Sequence, residues 1–396
     1  MTGQSTISPI QAYFAQALRG KSTWPYWLFG LFFAGGVFAL GQLLVALPMM
    51  SYLMPPEAAA ISPAAVMIGM LVVTFIVALV ITVPMLLFFL GERASPESRK
   101  VLHIVGGIIA ALVAIVGIFS VVAGSGDGAE SQDILSAAIS SSPFFYSLLL
   151  ISFIPMILGV FAAVKFVHRR PIKSLLTAHT HFRWGRLFQT MLVFWVIAAA
   201  LGFATHFLGL SDYEYVFDPS RFAIYALISL LFIPLQSAAE EILLRGYLNQ
   251  GLGKYIKNPW IVFVITSAGF MALHLGNPEA AKGAENGTFV LTMGSYFAFG
   301  MIACILTYMD GGLESAIGMH VANNLFASTM MGYDDSVLPT PTVFNTTLDP
   351  SKDMILLVLS MALMLFILWK WRKPLQPDLP TSADLADEHV QAEVFS

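Results

Sequence analysis

Apolar residues fill this chain in long blocks separated by short polar stretches. The blocks lie near 26–49, 64–90, 103–124, 143–166, 188–208, 222–249, 259–275, 288–309, 312–332 and 353–370. Crossing about 30 Å of hydrocarbon takes roughly 20 helical residues. A backbone in lipid can satisfy its own polar groups only as a helix or a closed barrel, and continuous apolar runs of this length predict helices. The expected fold is therefore all-α: a polytopic integral membrane helical bundle of about ten transmembrane helices. The run 259–275 is the shortest and predicts a tilted or early-ending segment.

Loop charge orients the bundle. Lysine and arginine favour the cytoplasmic side of a membrane. With the N-terminus inside, only Arg221, Lys282 and Lys352 of the 20 basic residues fall outside, which leaves 17 inside. A miscounted helix would invert every later loop and scramble this split. Ten spans with both termini cytoplasmic (N-in/C-in) is the expectation.

Composition agrees. The chain is 57% hydrophobic and 11% charged, against about 25% charged in a soluble protein. A net charge of −4 with no basic patch argues against nucleic acid as a partner. The single cysteine, Cys304, excludes an intramolecular disulfide and a paired-cysteine motif. Residues 1–20 lack the apolar stretch of a cleavable signal, so the first span is expected to act as an uncleaved one. Residues 7–18 carry Ile7, Ile10, Tyr13, Phe14 and Leu18 and suggest an interfacial helix. The basic stretch from His168 to Arg186 suggests a short helix on the inner leaflet. Residues 374–396 are acidic and are expected to be a disordered tail. No internal repeat is evident, which weakens a transporter built from inverted halves.

Against this background a few polar residues stand out. The segment Pro234-Leu-Gln-Ser-Ala-Ala-Glu240-Glu241-Ile-Leu-Leu-Arg245 places three charges inside a spanning helix. Each costs roughly 2.5–3.5 kcal/mol near mid-bilayer on the insertion scale. Glu241 and Arg245 are four apart and can pair on one helix face, a role that is structural as readily as functional. Glu240 points about 100° away and is free to face a cavity. Pro234 should kink the helix before the glutamates, and Ser237, Ala238 and Ala239 thin its surface. Later segments contribute His274, and then His320 with Asn324 four residues on. A lone helix-end histidine such as His274 can equally be a hydrogen-bonding residue. Depth links these residues. Glu240 falls roughly 15 Å, His274 roughly 22 Å, His320 roughly 12 Å and Asn324 roughly 18 Å from the inner surface at 1.5 Å per residue. The expected site therefore opens toward the cytoplasmic half. A glutamate in a low-dielectric pocket suits a general base, and His and Asn donors suit a developing oxyanion. Two histidines and a glutamate would also suit an open zinc site.

In order, spacing and membrane context, Glu240-Glu241-Ile-Leu-Leu-Arg245, Phe270-Met-Ala-Leu-His274 and His320-Val-Ala-Asn-Asn324 resemble the motifs of the CAAX protease and bacteriocin-processing family, also called the CPBP or Abi family and including type II CAAX prenyl endopeptidases. The likeness covers about residues 221–330. It implies an intramembrane endopeptidase in the bacterial cytoplasmic (inner) membrane, acting on a membrane-embedded or lipidated peptide or protein. Eukaryotic members remove the last three residues after a prenylated cysteine. By the same likeness Glu240 and His274 would activate a water, His320 and Asn324 would stabilise the oxyanion, and Glu241 and Arg245 would support them. The motifs leave a metal open, with Glu240, His274 and His320 as ligands of a possible zinc; no other cofactor is implied. The implied plan is 1–220, five helices of unassigned function; 221–335, the catalytic core; 336–373, the last transmembrane helix; and 374–396, the tail. Two other classes stay open: a proton-coupled transporter using the buried carboxylates, and a non-catalytic immunity or binding protein that keeps the motif helices.

Overall fold

A computed structural model describes residues 8–53, 80, 82–84, 86–109, 136–333, 336–347 and 349–372. The chain divides into two compact units. The larger comprises Met1–Gly20, Ser136–Tyr146 and Pro171–Ser396; the smaller comprises Lys21–Leu135 and Ser147–Arg170.

The helices of known extent are α1 (Pro9–Ala15), α2 (Trp24–Leu53), α3 (Pro143–Ile151), α4 (Ile154–Ala162), α5 (Lys173–Leu176), α6 (Trp184–Phe207), α7 (Pro219–Glu241), α8 (Asn249–Tyr255), α9 (Pro259–Leu273), α10 (Pro278–Glu285), α11 (Phe289–Asp310), α12 (Glu314–Thr329) and α13 (Pro350–Trp371). Further helix occupies 86–93 and 96–109. Widened, π-helical turns extend α4 (Ala163–Val167) and join α7 to α8 (Ile242–Leu248).

Local sequence explains where the helices start. Four begin with Asp or Asn followed by proline: Asp218-Pro219, Asn258-Pro259, Asn277-Pro278 and Asp349-Pro350. Proline at the first helical position loses a donor that had no partner anyway, and the preceding side chain can cap the next ones. Asp218 accepts from the Ser220 and Arg221 amides at 2.9 and 3.5 Å. Helix α11 ends at Gly311, whose φ of 62° favours glycine, and a Cβ there would lie 2.8 Å from the Pro9 carbonyl.

Among the described residues six helices are long and apolar enough to cross a membrane: Trp24–Val45, Pro143–Val167, Trp184–Phe207, Pro219–Tyr255, Phe289–Asp310 and Pro350–Trp371. The pair α9 and α10, bent by 85° at the break, makes a seventh if it is counted as one broken span rather than a re-entrant loop. This is the short segment expected near 259–275. The expected spans 64–90 and 103–124 lie largely outside the described residues, as does the 374–396 tail. The expected span 312–332 corresponds to the 16-residue α12, buried along most of its length. It is the central post of the larger unit, packed against α6, α7 and α11. The apolar core around it is built from Phe194, Ile197, Leu244, Phe270, Phe299, Met319, Met361 and Leu368. Outward faces carry Leu192, Val196 and Phe203 on α6 and Leu227, Leu230 and Leu231 on α7, the surface a lipid-facing helix presents. A small sheet closes one end, in the order β1 (Glu214–Tyr215), β3 (Phe344–Thr346), β2 (Met331–Tyr333). The β1–β3 pair is antiparallel and the β2–β3 pair parallel.

In the smaller unit α2 and α4 approach closely through small residues. A Cβ on Gly159 would lie 2.9 Å from the Ala34 carbonyl. Gln42 donates to the Ser152 carbonyl at 3.1 Å, and Phe29 stacks on Phe88 at 4.0 Å.

Three local expectations change. Residues 9–18 form α1 and a 3₁₀ turn that pack into the larger unit rather than lying at the interface. Buried Tyr13 donates to the Leu175 carbonyl at 2.6 Å, and a Cβ on Gly253 would overlap the Phe14 ring. In the 171–186 part the basic stretch is helical over Lys173–Leu176 and again from Trp184, where α6 begins. Its arginines turn inward: Arg183 grips Glu314 through Nε and Nη2 at 3.0 and 2.8 Å, and Arg186 reaches Asp310 at 2.6 Å. Arg372 joins at 3.2 Å from Asp310 and 2.8 Å from Thr190. Buried carboxylates outcompete lipid head groups for these cations. Finally, α7 runs unbroken through Pro234; its irregularity comes later, in the π-helical turn.

Asp310→Ala would strand Arg186 and Arg372 and is expected to cost on the order of 3 kcal/mol, as removing one partner of a buried pair does. Reversible unfolding in detergent measures it, and an unchanged midpoint would remove this lock. Asp218 gives a pH prediction. Its carboxyl is held below the ordinary range chiefly by the Ser220 hydroxyl and then by the Ser220 amide. Its cap is thus fully present above the ordinary carboxylate pKa and is lost as pH falls through the lowered one. Hydrogen exchange at 219–223 should quicken on acidification, and should already be fast at neutral pH in Asp218→Ala.

Candidate active site

Helix α7 delivers Glu240 and Glu241 at its last two positions, where the π-helical turn begins. Such widened turns recur at functional sites because they re-aim neighbouring side chains. Arg245 follows within that turn, α9 ends at His274, and α12 contributes His320 and Asn324.

Glu241 is the hub. It is fully buried, and its Oε1 accepts from Arg245 Nη1 at 3.1 Å and from His320 Nδ1 at 2.8 Å. Arg245 is also fully buried, and its guanidinium lies 4.6 Å over the Phe270 ring. Gly300 makes room for it: a Cβ there would lie 3.1 Å from Arg245 Nη2 and 2.9 Å from Ser267 Cβ.

Glu240 is bound differently. Gln236 Nε2 donates to its Oε1 at 2.5 Å. Its Oε2 is buried with no hydrogen-bond partner among the described residues, and lies 3.9 Å from His320 Nε2. Glu241 accepts from His320 Nδ1, so that nitrogen carries the proton and Nε2 is the one turned to Glu240. An unpaired carboxylate oxygen facing an imidazole nitrogen across this gap is a place for a water.

His274 sits at the break between α9 and α10. Its Nδ1 donates to the Phe270 carbonyl at 2.7 Å, which leaves Nε2 as acceptor in the neutral ring. The ring stacks on Tyr296 at 4.3 Å and leans on Phe270 at 4.4 Å. Glu240, His320 and Glu279 lie within electrostatic range of it. Asn324 Nδ2 donates to Gln236 Oε1 at 3.0 Å and Ser237 Oγ at 3.3 Å. The amide expected to serve an oxyanion thus has both hydrogens committed in this arrangement.

Glu240, Glu241, Arg245, His320 and Asn324 are thus linked by short polar contacts, with Gln236 bridging Glu240 and Asn324, while His274 lies within electrostatic range of Glu240 and His320. A zinc does not fit this arrangement as it stands. Among the described residues no three His, Cys, Asp or Glu side chains gather closely enough to hold an ion. His274, its Nδ1 tied to Phe270 and its ring stacked on Tyr296, stands apart from the Glu240–His320 pair. Sequence reasoning missed Gln236 and Tyr296. Gln236 had a signal, being polar and one turn before Glu240; Tyr296 had none. The adjoining cavity is lined by Tyr296, Phe299 and Asn323, and also by residues of the 209–213 loop and of the start of α13.

Fold and site together define an integral membrane protein with a buried acid–imidazole cluster. Residues 219–326 match the family described as type II CAAX prenyl endopeptidase Rce1-like. This stretch contains all three motifs. A curated relative, an uncharacterized protein named YyaK from Bacillus subtilis (strain 168), is 31% identical over 193 residues, covering 48% of this chain and 62% of that protein. The chain thus spans less than two thirds of that relative's length. No solved structure matches.

The two glutamates are expected to separate experimentally. Glu241→Gln weakens the grip on buried Arg245 and should lower stability by about 3 kcal/mol. Glu240→Gln keeps its bond to Gln236 through a rotated amide and should change stability by less than about 1 kcal/mol. Unfolding in detergent reads both; equal losses would refute the division of roles.

Proposed function

We propose that this protein is an intramembrane endopeptidase of the type II CAAX prenyl protease kind, hydrolysing a peptide bond with a water activated by Glu240. The observation that carries the reading is the unpaired Glu240 Oε2 facing His320 Nε2 at 3.9 Å inside a domain of this family.

In this reading Glu240 takes a proton from the water as its oxygen attacks the scissile carbonyl carbon. His274 Nε2 accepts the water's second hydrogen bond and orients it. Negative charge develops on the carbonyl oxygen, where Asn324 donates by exchanging its bond to Gln236 for one to the oxyanion; His320, whose Nδ1 is held by Glu241, donates from Nε2 in its doubly protonated form. The proton on Glu240 then passes to the leaving nitrogen as the C–N bond breaks, giving a carboxylic acid and an amine. Aromatic walls at Phe270, Phe299 and Tyr296 limit competing water, which strengthens each polar interaction. Glu241 and Arg245 hold His320 in its orientation and position the hub. The substrate is a membrane-embedded or lipidated peptide, and the setting is the bacterial cytoplasmic membrane.

Cleavage of a lipidated peptide by purified protein tests the reading. Glu240→Ala, His274→Ala and His320→Ala are each expected to lower kcat at least about 100-fold, the scale of a lost general base or oriented donor. All three should remain folded in the same detergent. Activity is expected to persist in a chelator, because the acid–imidazole arrangement gathers no ion-binding trio. Undiminished cleavage by Glu240→Ala would end the proposal.

A further inference from the structure

The cavity next to the cluster has a volume of about 430 Å³ and lies within the larger unit. Three of its walls are one side chain removed from the proposed chemistry. Tyr296 stacks on His274, Phe299 packs edge-on against His320 at 4.9 Å, and the Asn323 amide donates to Asn324 at 3.1 Å. The opposite walls are charged. Asp212, Glu279, Asp349 and Asp353 face a single cation, Lys352, which is itself 3.4 Å from Asp349.

Glu279 sets this cavity apart from an ordinary acidic surface. It lies in the first turn of α10, just past the break that carries His274, and is 4% exposed. Its Oε1 accepts from the Tyr333 hydroxyl at 2.8 Å and from the Val337 amide at 3.0 Å. Its Oε2 is buried with no hydrogen bond of normal geometry among the described residues, although the Tyr296 hydroxyl lies within reach of the carboxyl. Such an oxygen is costly unless something outside the chain completes it. Burial, and then Glu279 itself, hold the Tyr333 phenol well above its usual range, so Tyr333 stays a donor and adds no second anion. Asp349 caps α13, and Asp353 accepts from the Asp349 amide at 3.0 Å. Glu279 is the wall carboxylate whose free oxygen is buried.

We propose that this cavity is a substrate subsite that takes a cationic side chain, the ammonium of lysine or the guanidinium of arginine, from the peptide whose scissile bond lies at Glu240. The proposal rests on the endopeptidase reading and adds a specificity to it. Both side chains join an apolar stem to a charged tip, matching aromatic walls at Tyr296, Phe299 and Tyr213 with Glu279 beyond them. An extended peptide advances about 3.3 Å per residue, so the occupied position lies within a few residues of the cleaved bond.

The test uses the full-length protein in detergent with lipidated peptides alike except at one position, which carries lysine, methionine or glutamate and is moved stepwise along both sides of the cleaved bond. At one position kcat/KM should favour lysine over methionine about tenfold, the scale of one charge-assisted bond, and disfavour glutamate further. In Glu279→Gln the lysine preference should fall to within about twofold of none. Glutamine keeps an acceptor for Tyr333 and Val337, and thermal unfolding checks that the variant is folded. Should it fail to fold, Asp212→Asn, on the exposed rim, should reduce the same preference. A second readout needs no turnover: fluorescence anisotropy of labelled peptides on Glu240→Gln protein should give the same order of affinities. Cleavage that depends on Glu240 but ignores charge at every position overturns the subsite and leaves the endopeptidase standing. Absence of Glu240-dependent cleavage of any peptide overturns the endopeptidase, and equal binding of the three peptides then overturns the cavity's preference as well.

Discussion

One buried carboxylate oxygen ties the larger unit together. Glu241 Oε1 accepts from Arg245 on its own helix and from His320 on the central α12. A charge this deep in an apolar bundle is tolerable only when it is matched at once. The match dictates much else. Arg245 must reach back along the π-helical turn, so the turn widens where Glu240 leaves the helix. Its guanidinium needs a face to lie on, and Phe270 supplies it. That fixes α9, whose end carries His274. It also needs space, which Gly300 leaves on α11. His320, pinned through Nδ1, can turn only Nε2 to the neighbouring acid. Four helices are thus positioned around Glu240 by the requirements of the residue beside it.

The same economy governs the opposite end of α12. Glu314 and Asp310 draw Arg183, Arg186 and Arg372 out of the membrane interface and into the protein. Helix α12 is too short and too thoroughly buried to meet lipid. Ionic contacts clamp its start, and the hub holds its middle. Buried polar groups of this kind specify an arrangement more than they stabilise it. That suits a site whose parts come from separate helices.

The sequence made the helices and the motif residues legible for a common reason: a long apolar run and a costly polar residue within it are each visible without tertiary information. Glu240, Glu241, Arg245, His274, His320 and Asn324 announced themselves by depth. What stayed hidden depended on partners distant in the chain. The loop arginines looked like interfacial cations because Asp310 and Glu314 lie more than a hundred residues away. Residues 9–18 looked interfacial because the carbonyl that receives Tyr13 belongs to Leu175. Strands of two or three residues carry no readable period. The zinc option was open in the sequence because spacing along three helices does not say whether the three side chains gather closely enough to share an ion.

The unpaired buried atoms separate structural from functional carboxylates. Glu241 Oε2 and Arg245 Nε and Nη2 also lack hydrogen bonds, yet they belong to one ion pair. Opposite charge compensates them in place, and the Phe270 face covers the guanidinium. Glu240 Oε2 and Glu279 Oε2 have no such cover: the first faces His320 Nε2 across 3.9 Å, and the second borders a cavity rich in acids. A folded chain retains an uncompensated buried oxygen where something transient completes it. Two such oxygens, with His274 and Tyr296 between them, suit two parts of one ligand: a bond to be hydrolysed and a cationic group that sets its register.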